Sequence, residues 1–330
     1  MDAISFQRTG LVALLAFAVT LACLWWLLHG RHALVVLDSP NHRSLHHKPV
    51  PRTGGLAIMG GVIVAGGAFY PSLPIFAGLL ALMAVSFWDD WRGVPVRWRL
   101  GVHLATAAGV TATLAPAGAY WWWLAMIPAT VWMINLYNFM DGADGLAGGM
   151  ALFGFASYGF AAGMAGASWQ GLSFSVAAAA AAFLCFNFSP ARIFMGDAGS
   201  IPLGFLAAVL GWMGWRENAW PLWFPLMVFS PFIVDASTTL VRRWLRGASV
   251  LQAHREHYYQ RLVLMGWGHR RVALVWYGLM AGAGVSSLWG LTLGATGQLA
   301  LLAAWAGWYG MLMIMVDRSW ARFAANEGRC

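Results

Sequence analysis

Long apolar runs recur along the chain, separated by short polar clusters, and this alternation sets the reading of everything else. The runs fall near residues 10–29, 54–70, 73–88, 100–116, 120–137, 146–165, 171–188, 201–215, 220–241, 272–292 and 296–316. Crossing about 30 Å of hydrocarbon takes roughly 17–25 helical residues, and most of these runs meet or approach that length. Strands of a membrane barrel would be shorter and would alternate polar with apolar positions. Lipid also leaves no partner for an unpaired backbone group, so the runs are predicted to be helices. The expected fold is all-α: a polytopic integral membrane protein with about eleven transmembrane helices. No linker, repeat or low-complexity segment divides it, so residues 1–330 form one domain.

Composition agrees with the pattern. The chain is 60% hydrophobic and 10% charged, where a soluble domain carries about 25% charged residues. Charge then orients the helices. With eleven spans and the N-terminus outside, the segments 31–53, 89–99, 138–145, 189–200, 242–271 and 317–330 share one side and hold 18 of the 20 Lys and Arg residues. Basic residues concentrate on the cytoplasmic side, so the C-terminus is expected there, in a bacterial cytoplasmic (inner) membrane. The net charge of +8 is accounted for by this bias and does not point to nucleic acid. Cys23, Cys185 and Cys330 have no pairing or metal-binding spacing.

The polar clusters lie on that same side, so the active site is expected at the cytoplasmic face. Asp89 and Asp90 close one apolar run as adjacent carboxylates, whose joint ionisation calls for a nearby cation. Asn138, Asp141 and Asp144 recur at a spacing of three; on a helical turn they would share a face and offer oxygen donors suited to a hard cation. Phe194-Met195-Gly196-Asp197-Ala198-Gly199-Ser200 sets one carboxylate between glycines just before a helix, as either a capping loop or an anion-binding turn with a metal-binding carboxylate. His254, His257 and Arg261 fall at i, i+3 and i+7, one helical face whose imidazoles and guanidinium suit a diphosphate. A long polar loop from Asp38 ends in Lys48-Pro49-Val50-Pro51-Arg52-Thr53-Gly54-Gly55.

Taken in order, these five segments resemble the polyprenyl-phosphate N-acetylhexosamine-1-phosphate transferases, a superfamily that includes the phospho-N-acetylmuramoyl-pentapeptide transferases. The resemblance runs from about Asp38 to Arg261. It implies transfer of a sugar 1-phosphate from a UDP-N-acetylhexosamine to undecaprenyl phosphate, with release of UMP and dependence on Mg²⁺, or Mn²⁺ in its place. It assigns metal binding to Asn138 and Asp197. Catalytic roles fall to Asp89, Asp90, Asp141 and His254, and substrate contacts to Lys48, Asp144, His257 and Arg261. The last loop departs from the three consecutive histidines of the muramoyl-pentapeptide enzymes, reading His-Arg-Glu-His-Tyr-Tyr-Gln-Arg instead. This is closer to the branch that initiates O-antigen and related surface polysaccharides. Membrane lipids are the expected surroundings, and a homodimer is left open.

Two other classes fit less well. A transporter would carry ionisable groups at mid-span, where this chain has only His103 and Asp235, both toward the cytoplasmic end. A CDP-alcohol phosphotransferase would need an Arg after its Asp-Gly motif, and Ala143-Asp144-Gly145-Leu146-Ala147-Gly148 supplies none.

Overall fold

The computed structural model describes residues 3–30, 36–38, 49–67, 72–249, 252 and 254–326. Thirteen α-helices make up nearly all of it. They are α1 (Ala3–His29), α2 (Gly54–Gly66), α3 (Leu73–Arg92), α4 (Val96–Leu114), α5 (Trp122–Phe139), α6 (Leu146–Met164) and α7 (Gln170–Asn187). There follow α8 (Asp197–Arg216), α9 (Trp223–Val228), α10 (Ser230–Leu245), α11 (Tyr258–Leu262), α12 (Gly268–Gly290) and α13 (Ala295–Asn326). The single sheet among the described residues is a two-residue pairing of β1 (Leu37–Asp38) with β2 (Val50–Pro51), antiparallel, Leu37 opposite Pro51.

The fold is thus an all-α, polytopic membrane protein. Seven helical stretches among the described residues are long and apolar enough to cross a membrane: Gln7–His29, Leu73–Arg92, Leu146–Met164, Gln170–Asn187, Asp197–Arg216, Tyr258–Gly290 and Ala295–Asn326. Each of the eleven stretches expected from the sequence holds a helix, with two differences. The ninth, 220–241, is broken at Phe229 into α9 and α10, with Pro231 just inside the second piece, where a missing N–H costs nothing. The second is a helix of 13 residues, about 20 Å at 1.5 Å per residue.

Helix α8 is the axle. It packs against α2, α3, α4, α5, α6 and α9, and 83% of its apolar window is buried, against 6% for α13 at the periphery. Its first turn meets α2 without intervening side chains. A Cβ on Gly55 would lie 2.8 Å from the Ala198 carbonyl carbon, and one on Gly199 would lie 2.6 Å from Gly55 Cα. Backbone therefore runs against backbone at the point where the polar segments converge.

Candidate active site

The site is assembled where α8 begins. The segment before it is stitched to the segment before α2: Phe194 N–H donates to Pro51 O (2.7 Å), Gly54 N–H to Phe194 O (2.9 Å) and Gly55 N–H to Met195 O (2.8 Å). Two of the sequence motifs are thus one structural unit. Gly196 turns the chain into α8 at φ 71°, in a niche where a Cβ would sit 2.8 Å from Asp90 Oδ2.

Asp90, on the last turn of α3, supplies the cap that this helix start lacks. Its carboxylate accepts the N–H groups of Asp197 (3.3 Å) and Ala198 (3.2 Å) and is ion-paired with Arg52. Asp89 is adjacent in sequence, but a helix rotates successive residues by about 100°, so it faces elsewhere. It accepts Val94 N–H at 2.7 Å and pairs with Arg99 of α4, whose Nη1 also lies 3.4 Å from Asp197 Oδ2. The Asp89 side chain is 12% exposed and that of Asp90 1%. The two carboxylates therefore have different surroundings: one is locked inside, the other lies beside a half-buried arginine.

Asn138 reaches the same point from α5, its Oδ1 accepting the Ser200 hydroxyl at 2.8 Å. Asp141 and Asp144 do not share a helical face with it, contrary to the sequence expectation. Helix α5 ends at Phe139, and the residues to Gly145 form a non-helical link. Asp141 stays within electrostatic reach of the cluster: its pKa is pushed up to about 8 by burial first, then by Asp197 and Asp90, against the pull of Arg52. Asp144 points to other partners. Its Oδ2 accepts Ala191 N–H at 3.1 Å, and its Oδ1 lies 3.2 Å from His269 Nδ1 at the start of α12. Burial alone would raise this carboxyl, but the His269 and Ala191 contacts hold it below its ordinary value.

The histidine segment differs more from expectation. Residues 254–257 are not helical; α11 starts only at Tyr258, so His254, His257 and Arg261 do not form one helical face. The two imidazoles still lie together, ring centres 4.9 Å apart, and His257 stacks on Phe139, the neighbour of Asn138, at 6.2 Å. Burial, with His257 and Arg243 close by, lowers the His254 pKa to about 4, so its ring is neutral at pH 7. Arg261 is buried and turned toward α13, where it pairs with Asp317 at 3.0 Å and packs over Tyr258 and Trp320. Its guanidinium is held by that carboxylate in this arrangement. Lys48 lies outside the described residues.

The structure thus gathers Asp89, Asp90, Asn138, Asp141 and Asp197 about the start of α8, with His254 and His257 beside Phe139. Arg52 and Arg99 belong to the same constellation, while His269 pairs with Asp144 and Asp235 accepts the first amides of α11; the sequence alone placed none of them in the site. Arg52 sits inside a recognised motif, yet arginines read as topology markers carry no sign of their partners. Among the described residues, no three His, Cys, Asp or Glu side chains form a ready metal cage. The donor set suits Mg²⁺ nonetheless. That ion is held by one or two carboxylates plus substrate phosphates, and here burial, with Asp197 and Asp90 close by, lifts Asp141 to about 8.

Residues 72–214, from α3 through most of α8, match the model of glycosyl transferase family 4. The chain is 28% identical over 263 residues to the "Probable undecaprenyl-phosphate N-acetylglucosaminyl 1-phosphate transferase" of Bacillus subtilis (strain 168), covering 73% of each protein. It is 28% identical over 308 residues to the decaprenyl-phosphate N-acetylglucosaminephosphotransferase of Mycobacterium tuberculosis (strain CDC 1551 / Oshkosh), covering 76% of this chain and 75% of that one. A phospho-N-acetylmuramoyl-pentapeptide-transferase of Thermosynechococcus vestitus is 30% identical over 248 residues, 62% of each chain.

Proposed function

We propose that this chain, which belongs to the glycosyl transferase family 4 superfamily of polyprenyl-phosphate N-acetylhexosamine-1-phosphate transferases, moves a sugar 1-phosphate from a UDP-N-acetylhexosamine to undecaprenyl phosphate. UMP and a lipid-linked sugar diphosphate are the products. The first two relatives named above support N-acetylglucosamine as the donor sugar to try first. The departure in the histidine segment supports the start of O-antigen or a related surface glycan over a peptide-bearing substrate. The positive charge on the loops supports the cytoplasmic face.

The observation that carries this reading is the Asp90 cap on α8, which brings the Asp89–Arg99 pair, Asn138 and Asp197 to one point. An oxygen of the acceptor phosphate attacks the β-phosphorus of the donor, forming one P–O bond as the bond to the bridging oxygen breaks and UMP leaves. Asn138 and Asp197 would hold Mg²⁺, which neutralises charge on the donor diphosphate. Arg99, half-buried beside Asp89, offers the acceptor phosphate a bidentate guanidinium. A phosphate monoester has its second pKa near about 6, so the acceptor is already mostly dianionic and needs no strong base. Asp89 then serves to hold Arg99, and Asp90 to build the helix start.

The test is UMP release by the purified full chain with undecaprenyl phosphate, Mg²⁺ and a panel of UDP-N-acetylhexosamines, with Asp197→Asn beside it. Release with one donor, abolished by EDTA and by the substitution, supports the reading. Folded protein that releases no UMP from any donor overturns it.

A further inference from the structure

One buried carboxylate has no part in that scheme. Asp235 lies in α10, 4% exposed, and that helix packs against α5, α9, α11 and α12. A charge so placed must be hydrogen-bonded to be tolerated. Its partners outside α10 all lie in the histidine segment. Oδ1 accepts Tyr258 N–H at 2.9 Å and Oδ2 accepts Tyr259 N–H at 3.0 Å, the first two amides of α11. Thr239, one turn along α10, donates to Oδ1 at 3.4 Å. The buried His257 Nδ1 lies 3.4 Å from the same oxygen.

We propose that Asp235 is a positioning residue for the donor site: it fixes where α11 begins and so holds the His254–His257 pair against the Asn138 turn. The inference rests on the transferase reading for the donor's identity and on the structure for the link. The chain of contacts is continuous. Asp235 sets the amides of Tyr258 and Tyr259; His257 N–H donates to Gln260 Oε1 at 3.3 Å; the Tyr259 hydroxyl donates to Phe139 O at 3.0 Å. Phe139 in turn stacks on His257. The far end of the segment is tied separately, Glu256 pairing with Arg243 and Arg246 of the α10 end and the link that follows it. The short α11 therefore hangs from α10 at two carboxylates, and only Asp235 faces inward.

Asp235→Asn keeps the size but leaves one side-chain NH₂ facing a backbone N–H. The expected result is at least a tenfold rise in KM for UDP-N-acetylglucosamine, with KM for undecaprenyl phosphate within twofold of the parent. A lesion that merely unfolded part of the protein would lower kcat and leave both KM values alone, and that pattern would overturn the proposal. Because Asp235 acts through His257, Asp235→Asn combined with His257→Ala should cost no more than His257→Ala alone; additive losses would also overturn it. Hydrogen exchange of the full chain should show faster exchange across 254–262 in the Asn variant, and unchanged exchange there breaks the link whatever the reaction. If Asp235→Asn does not fold, Asp235→Glu keeps the charge one methylene away: an intermediate rise in donor KM is expected, and a parental KM refutes the role. Absence of UMP release by the unsubstituted chain would sink the donor reading itself and leave the exchange result to judge the link.

Discussion

The carboxylate of Asp90 receives the backbone N–H of Asp197, a residue 107 positions later in the chain, and caps the helix that Asp197 opens. A helix start without a local side-chain cap is thereby completed by a neighbouring helix, and the same carboxylate holds Arg52 in place.

Asp90 and Asp89 should therefore fail differently. Asp90→Ala leaves Arg52 and two helix-start amides without their partner in a buried place, a loss of about 3–5 kcal/mol by analogy with broken buried pairs. A clear fall in the unfolding midpoint of the detergent-solubilised protein, followed by tryptophan fluorescence, is expected. Asp89→Ala should melt near the parent and lose activity instead.

Arg99 should read out on the acceptor. Arg99→Ala removes a charge-assisted contact worth about 1.5–3 kcal/mol, which corresponds to roughly a ten- to hundredfold rise in KM for undecaprenyl phosphate. Arg99→Lys should recover part of it. Steady-state kinetics with the donor saturating would decide, and an unchanged acceptor KM would remove Arg99 from the scheme.

The backbone contact between α2 and α8 sets up a contrast among glycines. Gly199→Ala drives a methyl to within 2.6 Å of Gly55 Cα; overpacking of this kind costs about 1–3 kcal/mol. It also displaces the Asp197 turn, so UMP release should fall with stability. Gly60→Ala, on the same α2 with nothing within 4 Å of the new Cβ, should be neutral in both assays.

Asp144 predicts a pH dependence. Its pKa is held below the ordinary 3.8 in the folded protein. A carboxyl lowered on folding contributes stability that is fully present above its unfolded pKa and is lost as pH falls through the folded one. Asp144→Asn should thus melt lower than the parent at pH 7, by about 1–2 kcal/mol, and the gap should close as the medium is acidified below about pH 4. A gap that persisted at low pH would mean that the loss is one of packing.

Much of this arrangement is legible in the chain, because lipid forces polar residues to the ends of apolar runs. Four of the five clusters that stand out along the sequence reach the start of α8, and the histidine segment lies beside Phe139. Local geometry was less legible. Asn138, Asp141 and Asp144 have helical spacing, but α5 ends at Phe139, before that spacing can act. His254 and Arg261 have it too, yet Asp235 starts α11 only at Tyr258. Pairings such as Arg261 with Asp317, 56 residues apart, or Arg99 with Asp197, 98 apart, leave no trace in spacing. An arginine at a membrane surface reads the same whether it faces water or a carboxylate.

The distance along the chain between Asp90 and Asp197 also orders events in time. At about 5–20 residues per second of synthesis, roughly 5 to 20 seconds separate the emergence of α3 from that of the amides that its carboxylate will hold. Until α8 has entered the membrane, Asp90 of the nascent protein has no helix start to cap. The transfer centre comes into being only with the eighth helix, so a truncated or stalled chain ending before Asp197 would be an inert membrane bundle.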